Sequence, residues 1–312
     1  MNKKIISVVT IVMMAISVFL VPTDLSCAAS ANDYWLKVNR TANVVNVYKK
    51  IDGSWQPYKV MLCSCGKKGS RTPTGNYKII KEKRRWHNLF HGVSGQYTSR
   101  FKGHYLFHSV VYRNKGKHSS CIRREYNKLG TNASHGCVRL ATMDAKWIYD
   151  NCPRGTKVTV YSSSDAGPLG KPKKVAMAGK RKNFWDPTDP IKTNKYFRMR
   201  GPEISINKPE AVDYGTKFNI MENVSARSPY TFENLTSRVK VHSIAYRAEG
   251  SESFKAVSAV DTNKAGSYRI KYSCYNAYCG RNTVYSTFTF KVLPPPEDVQ
   301  APSEEQADIQ SP

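Results

Sequence analysis

Two stretches of this chain alternate apolar and polar residues with the period of half-buried strands, and a basic, turn-rich stretch separates them. In the first, Tyr34-Trp35-Leu36-Lys37-Val38 and Val44-Val45-Asn46-Val47-Tyr48 flank a polar turn at 39–43, which predicts a pair of strands. Residues 55–62, 77–81 and 105–111 are further predicted strands, and Thr72-Pro73-Thr74-Gly75 is a turn. Thr142 is the expected cap of a helix over 143–151, with Ala145, Ile148 and Tyr149 at helical spacing. Pro153-Arg154-Gly155 stops that helix, and Lys157-Val158-Thr159-Val160-Tyr161 reads as a closing strand. Residues 33–162 thus form one mainly β domain.

Residues 163–200 change character. Gly167-Pro168, Lys171-Pro172-Lys173-Lys174 and Lys180-Arg181-Lys182 predict a basic linker, either a solvated spacer or a contact for polyanions. Residues 201–293 return to alternation, clearest in Ser267-Tyr268-Arg269-Ile270-Lys271-Tyr272-Ser273 and Tyr285-Ser286-Thr287-Phe288-Thr289-Phe290-Lys291-Val292, and predict a smaller β-sandwich. The Pro-rich acidic stretch 294–312 lacks the apolar content to fold and reads as a disordered tail.

Charge narrows the setting. The 312 residues carry 49 Lys and Arg against 23 Asp and Glu, a net +26, and the acidic tail means that the remainder is more basic still. So basic a body expects a polyanionic environment. Lys3 and Lys4 precede an apolar run over 5–21 and small residues around Ala28-Ala29-Ser30, so residues 1–30 read as a secretory signal, with an uncleaved membrane anchor as the alternative. Nucleic acid, anionic lipid and anionic cell-wall polymer all suit that charge, and export points away from nucleic acid. Without Cys27 seven cysteines remain. In an oxidising compartment six could pair, Cys274 with Cys279 among them, and one would stay free; the alternative leaves all seven as thiols.

The odd thiol directs attention to Ser134-His135-Gly136-Cys137-Val138-Arg139-Leu140. A thiol ionises near ~8.5 when unperturbed, so a nucleophilic cysteine needs a base or a nearby cation. His135 is close in sequence. His108, in Phe107-His108-Ser109-Val110, can reach Cys137 only through the fold. Arg139 is suited to a carboxylate or a developing oxyanion, and the backbone N–H groups of Gly136 and Cys137 are candidate oxyanion donors. His87 and His91, with Cys63 and Cys65, invite a zinc reading, but no Cys-x-x-Cys pair supports it, so neither metal nor cofactor is expected. Trp35, Trp55 and Trp86 are read as core or cleft wall.

Ser-His-Gly-Cys-Val-Arg-Leu with an upstream His-Ser resembles the signature of the L,D-transpeptidase catalytic domain, the YkuD family. Arg71-Thr72-Pro73-Thr74-Gly75-Asn76-Tyr77 and Leu129-Gly130-Thr131-Asn132-Ala133-Ser134 extend the likeness in the right order over about 33–162. The resemblance implies a YkuD-like β-sandwich with a short helix after the Cys motif. It implies Cys137 as nucleophile, His108 as general base oriented by the Ser109 carbonyl, and His135 and Gly136 shaping the loop. Arg139 and Ser134 would face substrate. The implied reaction takes the acyl group of a peptidoglycan stem tetrapeptide onto Cys137, releases D-Ala and forms a 3→3 cross-link. With water as acceptor the same parts make an L,D-carboxypeptidase, and carbapenems would acylate the thiol. The other classes considered are a non-catalytic wall-binding protein and a secreted thiol-dependent peptidase. The stretch between His108 and Cys137 is longer than in compact members and holds Lys115, Lys117, His118, Cys121, Arg123 and Arg124, an expected basic flap. Asp261-Thr262-Asn263-Lys264-Ala265-Gly266-Ser267-Tyr268 resembles the turn and strand of bacterial Ig-like modules, so 201–293 is expected to be Ig-like.

Overall fold

The computed structural model describes residues 30–80, 83–177 and 184–296. The expected signal segment, the tail beyond residue 296 and part of the linker lie outside these. Among the described residues no helix is long and apolar enough to cross a membrane.

The chain is mainly β. Strand β1 (Tyr34–Asn39) buries Tyr34, Leu36 and Val38 on one side and runs antiparallel to β2 (Val44–Ile51). Asn39 Oδ1 closes the turn between them by accepting the N–H groups of Thr41 and Ala42. β3 (Ser54–Ser64) continues two residues past the expected strand. Those residues matter because β3 pairs with β2 through Leu62 and then, at Cys63 and Ser64, with another strand. β4 (Gly75–Lys78), β5 (Lys83–Asn88), β6 (Ser94–Lys102), β7 (Tyr105–Ser109), β8 (Val138–Leu140) and β9 (Lys157–Tyr161) complete one sheet in the order β4-β9-β1-β2-β3-β8-β7-β6-β5. Helix α1 (Arg123–Asn127) lies in the β7–β8 crossover, and α2 (Thr142–Asn151) follows β8. The main core gathers Leu36, Val38, Met61, Phe107, Val138, Leu140, Trp147 and Ile148, with α2 packed against β6, β7 and β8.

Strands β5 and β6 were not expected. β6 reads Ser-Gly-Gln-Tyr-Thr-Ser-Arg-Phe-Lys, yet Ser94, Gln96, Thr98 and Ser99 are all buried. Gln96 and Thr98 meet partners inside the fold, while the Ser99 hydroxyl is buried without one, so hydropathy gives no sign of the strand. Gln96 Nε2 donates to Asp189 at 3.0 Å, and Thr98 Oγ1 donates to the Arg84 carbonyl at 3.2 Å.

The expected linker is laid against the catalytic unit. Asn39 Nδ2 donates to the Asp165 carbonyl, Asn46 Nδ2 to that of Ala166, and Tyr126 Oη to that of Val175. Beyond Phe184 a strap inserts two carboxylates. Asp186, fully buried, accepts from both the backbone N–H and the hydroxyl of Thr142, at 3.0 and 2.8 Å. Thr188 Oγ1 accepts the N–H of Met143 at 3.1 Å. Helix α2 is therefore capped from 44 residues downstream rather than by Thr142, which is its first helical residue. Asp189 accepts from Gln96 and, at 2.6 Å, from His118 Nδ1. Residues 184–200 thus close the unit that they were expected merely to follow.

The second β unit has two sheets. β10 (Glu203–Ile206) pairs with β12 (Val224–Arg227), while β11 (Ala211–Val212), β16 (Val284–Val292), β15 (Gly266–Cys274), β13 (Lys240–Arg247) and β14 (Lys255–Val257) form the other in that order. Tyr268, Ile270, Tyr272, Phe290 and Leu235 fill the space between them. The unit is docked on the first by a buried ion pair, Lys59 Nζ to Glu233 at 2.7 Å, with 1% and 2% of the side chains exposed. Tyr58 Oη donates to the same carboxylate, and Val60 N–H donates to the Thr231 carbonyl at 2.9 Å.

All seven cysteines of the described residues are free thiols in this structure. The expected Cys274–Cys279 bond is not formed: Cys274 Sγ is turned to the Leu235 carbonyl and Cys279 Sγ to Ser228 Oγ.

Candidate active site

The crossover between β7 and β8 is the feature that builds the site. These strands are parallel neighbours with Phe107 opposite Val138, His108 opposite Arg139 and Ser109 opposite Leu140. Side chains alternate across a sheet, so His108 and Arg139 share one face, and Cys137 immediately precedes β8. A distance of 29 positions between thiol and imidazole in the chain is closed by one strand pairing. Both open onto a cleft of about 1040 Å³, which His104, His135, Ser134 and Arg139 also line.

The nucleophile loop is held from three directions. The Ser134 N–H donates to the Cys65 carbonyl at 3.0 Å, and its own carbonyl accepts the Lys67 N–H at 3.0 Å. Ser134 Oγ donates to the Cys137 carbonyl at 2.5 Å and accepts the Gly136 N–H at 3.1 Å. That last bond corrects the expectation for the Gly136 amide: it is tied to Ser134 rather than presented to a substrate oxygen. Likewise Ser134 is 1% exposed, so its role here is to brace the loop. From the Thr-Pro-Thr-Gly turn, fully buried Thr72 donates its hydroxyl to the Gly136 carbonyl at 2.7 Å. Gly136 has φ +115°, and a Cβ there would lie 2.5 Å from Tyr105 Cε1, so both conformation and space require glycine.

His108 is 2% exposed and its Nδ1 is 2.6 Å from the Ser109 carbonyl. The carbonyl can only accept, so Nδ1 carries the proton and Nε2 is the basic nitrogen. The back of the ring rests on Gly95, where a Cβ would come within 3.0 Å of Nδ1. Burial, then the nearby Arg139 charge, lower the His108 pKa to about 3, against the Ser109 hydrogen bond. Burial raises the Cys137 thiol, while a hydrogen bond from the Leu106 backbone and the charges of Arg139 and Arg100 pull it back. The resting pair is therefore neutral thiol and neutral imidazole. The sulfur lies 3.8 Å from the carbonyl of His104, in the turn before β7, and meets β7 itself at the Leu106 backbone. His135 is exposed, with its ring 5.0 Å from that of His91.

One expected result follows. A base whose folded pKa is lowered from 6.5 to about 3 stays unprotonated through mildly acidic pH. The acid limb of the Cys137 acylation rate by a β-lactam, followed by intact mass, is expected well below pH 6.5. A limb at or above 6.5 would give the base role to another group.

Arg139 is not a free cation. Its Nη1 lies 2.5 Å from Glu125 Oε2, each side chain 11% exposed, and Lys128 Nζ is 2.7 Å from Glu125 Oε1. Burial pushes the Glu125 carboxyl up, but its bonds to Lys128 and the charge of Arg139 outweigh this and hold it below the usual range. Glu125 escaped the sequence reading, which saw the insert as basic. The signal was there: it is the sole acid in the stretch 110–143. Nor is the insert a free flap. Its Ile122, Arg124, Glu125 and Lys128 line the cleft, while His118 is clamped to Asp189 and packed on Trp86.

His87 and His91 line the cleft, whereas Cys63 and Cys65 are buried in the main core with their sulfurs 3.8 Å apart. Among the described residues no group of three or more His, Cys, Asp or Glu could hold a metal ion. Trp35, Trp55 and Trp86 do not line the cleft; Trp35 bonds Thr159 and packs on Trp55.

A Cys, a His and an Arg, the last two paired across neighbouring strands, thus line one cleft of a mainly β domain. Residues 33–160 match the family described as YkuD, L,D-transpeptidase catalytic domain. YciB of Bacillus subtilis (strain 168), whose name assigns it provisionally to the L,D-transpeptidases, is 37% identical over 131 residues, 40% of this chain and 64% of that protein. The chain thus spans under two thirds of the length of that curated relative. Among solved structures, an L,D-transpeptidase from Mycobacterium smegmatis is 21% identical over 42% of this chain and 59% of its own, with a TM-score of 0.33. A fused zinc-dependent amidase/peptidase and peptidoglycan-binding protein from Clostridium acetobutylicum ATCC 824 is 26% identical over 41% and 52%, also at 0.33. The L,D-transpeptidase LdtMt1, solved in complex with imipenem, is 20% identical over 41% and 59%, at 0.33. Over residues 33–160 the chain carries a YkuD-type L,D-transpeptidase catalytic domain.

Proposed function

We propose that the protein is a cysteine L,D-transpeptidase acting on peptidoglycan stem peptides outside the cytoplasmic membrane. The observation that carries this reading is the parallel β7–β8 register, which pairs His108 with Arg139 and so brings both into the cleft that Cys137 lines. The thiol gives its proton to His108 Nε2 as sulfur attacks the carbonyl of the third stem residue. The tetrahedral intermediate collapses, the bond to the terminal D-Ala breaks, and the leaving amine takes the proton from the imidazolium. The amine of a second stem then attacks the thioester, forms a 3→3 amide and restores the thiol. Carbapenems would acylate the same sulfur through their lactam carbonyl. The +26 charge suits an anionic wall, and the basic, then apolar, N-terminal residues support export.

The test is mass analysis of muropeptides after the full chain is incubated with disaccharide tetrapeptide. Cross-linked dimers one D-Ala lighter than two tetrapeptides are the expected product. Tripeptide alone would make it an L,D-carboxypeptidase, and unchanged substrate would favour a wall-binding protein.

A further inference from the structure

We propose that Glu125 is the positioning residue for Arg139, fixing that cation beside His108 and Cys137 and so setting the reactivity of the thiol. The inference rests on the reading of Cys137 as nucleophile. Arg139 lies on β8 opposite His108, two residues after Cys137. A long side chain there can take several directions, and entropy favours spreading among them. Glu125 removes that freedom. It projects from α1 and meets Arg139 Nη1 with one oxygen, while Lys128 holds the other oxygen. Both partners of the Arg139–Glu125 pair are nearly buried, so the bond is charge-assisted and poorly screened. Arg139 Nε is buried with no hydrogen-bond partner. The guanidinium is therefore held by its Nη1 contact rather than shared among several acceptors.

The titratable groups lining the cleft come from every neighbouring element: His87 from β5, His91 after it, Arg100 from β6, His104 from the turn before β7, His108 from β7, Arg124 and Glu125 from α1 with Lys128 just past it, His135 and Arg139 from the Cys137 loop and β8, and Lys67 from the loop after β3. Glu125 is the single carboxylate lining the cleft among the described residues. Loosening it frees the one cation that both stabilises a thiolate at Cys137 and holds His108 in its neutral form. Because α1 belongs to the insert between the two reacting residues, the insert acts on the chemistry through this carboxylate.

The experiment measures Cys137 alkylation by iodoacetamide against pH, read by peptide mass in the full chain, for wild type, E125Q, E125A, R139A and E125A/R139A. Thermal melts accompany it. The midpoint is expected to rise in E125A towards that of R139A, to rise less in E125Q, which still accepts a hydrogen bond, and to be equal in R139A and the double variant. Turnover of E125A should fall at least tenfold, in kcat rather than KM. An E125A midpoint equal to wild type overturns the proposal, as does an equal effect of E125A with and without Arg139. If E125A fails to fold, E125Q decides by the same comparison: a wild-type midpoint overturns the proposal. Alkylation needs no stem-peptide turnover, so this result stands even if the proposed reaction fails.

Discussion

Cys137→Ala is expected to abolish D-Ala release and to leave no covalent adduct after incubation with a carbapenem, while the wild-type mass rises by one inhibitor. Among the described residues no other thiol can take over. Cys63, Cys65, Cys121, Cys152, Cys274 and Cys279 are all buried, and none of them lines the cleft. Burial also pushes the Cys63, Cys121 and Cys152 thiols well up, which keeps them as inert neutral groups. His108→Ala should lower turnover by about 10²–10⁴-fold, the range over which a positioned general base acts. Alanine at 137 removes only a sulfur on the cleft side of the loop. The Ser134, Gly136 and Thr72 bonds that shape the loop use backbone groups and survive. A persisting adduct in Cys137→Ala would overturn the nucleophile assignment, and the melting temperature should barely move.

The second large effect concerns stability. Glu233→Ala is expected to cost about 3–5 kcal/mol, because breaking one side of a buried ion pair leaves the other charge without compensation. The partner is Lys59, 1% exposed on the centre strand β3, with its Nζ 4.4 Å from the centre of the Trp147 ring. Burial pushes the Glu233 carboxyl up, but Lys59 and the Tyr58 hydroxyl more than offset this and hold it ionised. Urea unfolding of the full chain measures the loss. A change under about 1 kcal/mol would place the pair in solvent. Replacing both residues, as in Lys59→Met with Glu233→Leu, should restore much of the loss, since apolar isosteres of a buried pair are often neutral or better.

That Cys137, His108 and Arg139 would share a cleft was legible because each lies in a short, distinctive segment. The heptapeptide around Cys137 and the His-Ser pair at 108–109 each lie on short segments with strong residue signatures, and the strands beside them alternate plainly. What was not legible depends on polar groups met by distant partners. β6 is a buried strand whose serines, glutamine and threonine look like solvent residues. Asp186 caps a helix 44 positions before it, and no local pattern points that way. Glu125 was hidden by its basic neighbours. The linker was misread for the same reason: its lysines and prolines dominate the composition, while two carboxylates and a threonine decide where it lies. The Cys274–Cys279 spacing suggested a bridge, but the two sulfurs face different acceptors.

The strap has a consequence for where this protein can be cut. The family match stops at residue 160, yet the groups that terminate α2 and brace β6 come from 186–189. Excision at the boundary of resemblance would strand the helix end and leave Gln96 and His118 without their shared acceptor. In this molecule the unit recognised by kinship and the unit tied together by these bonds have different edges.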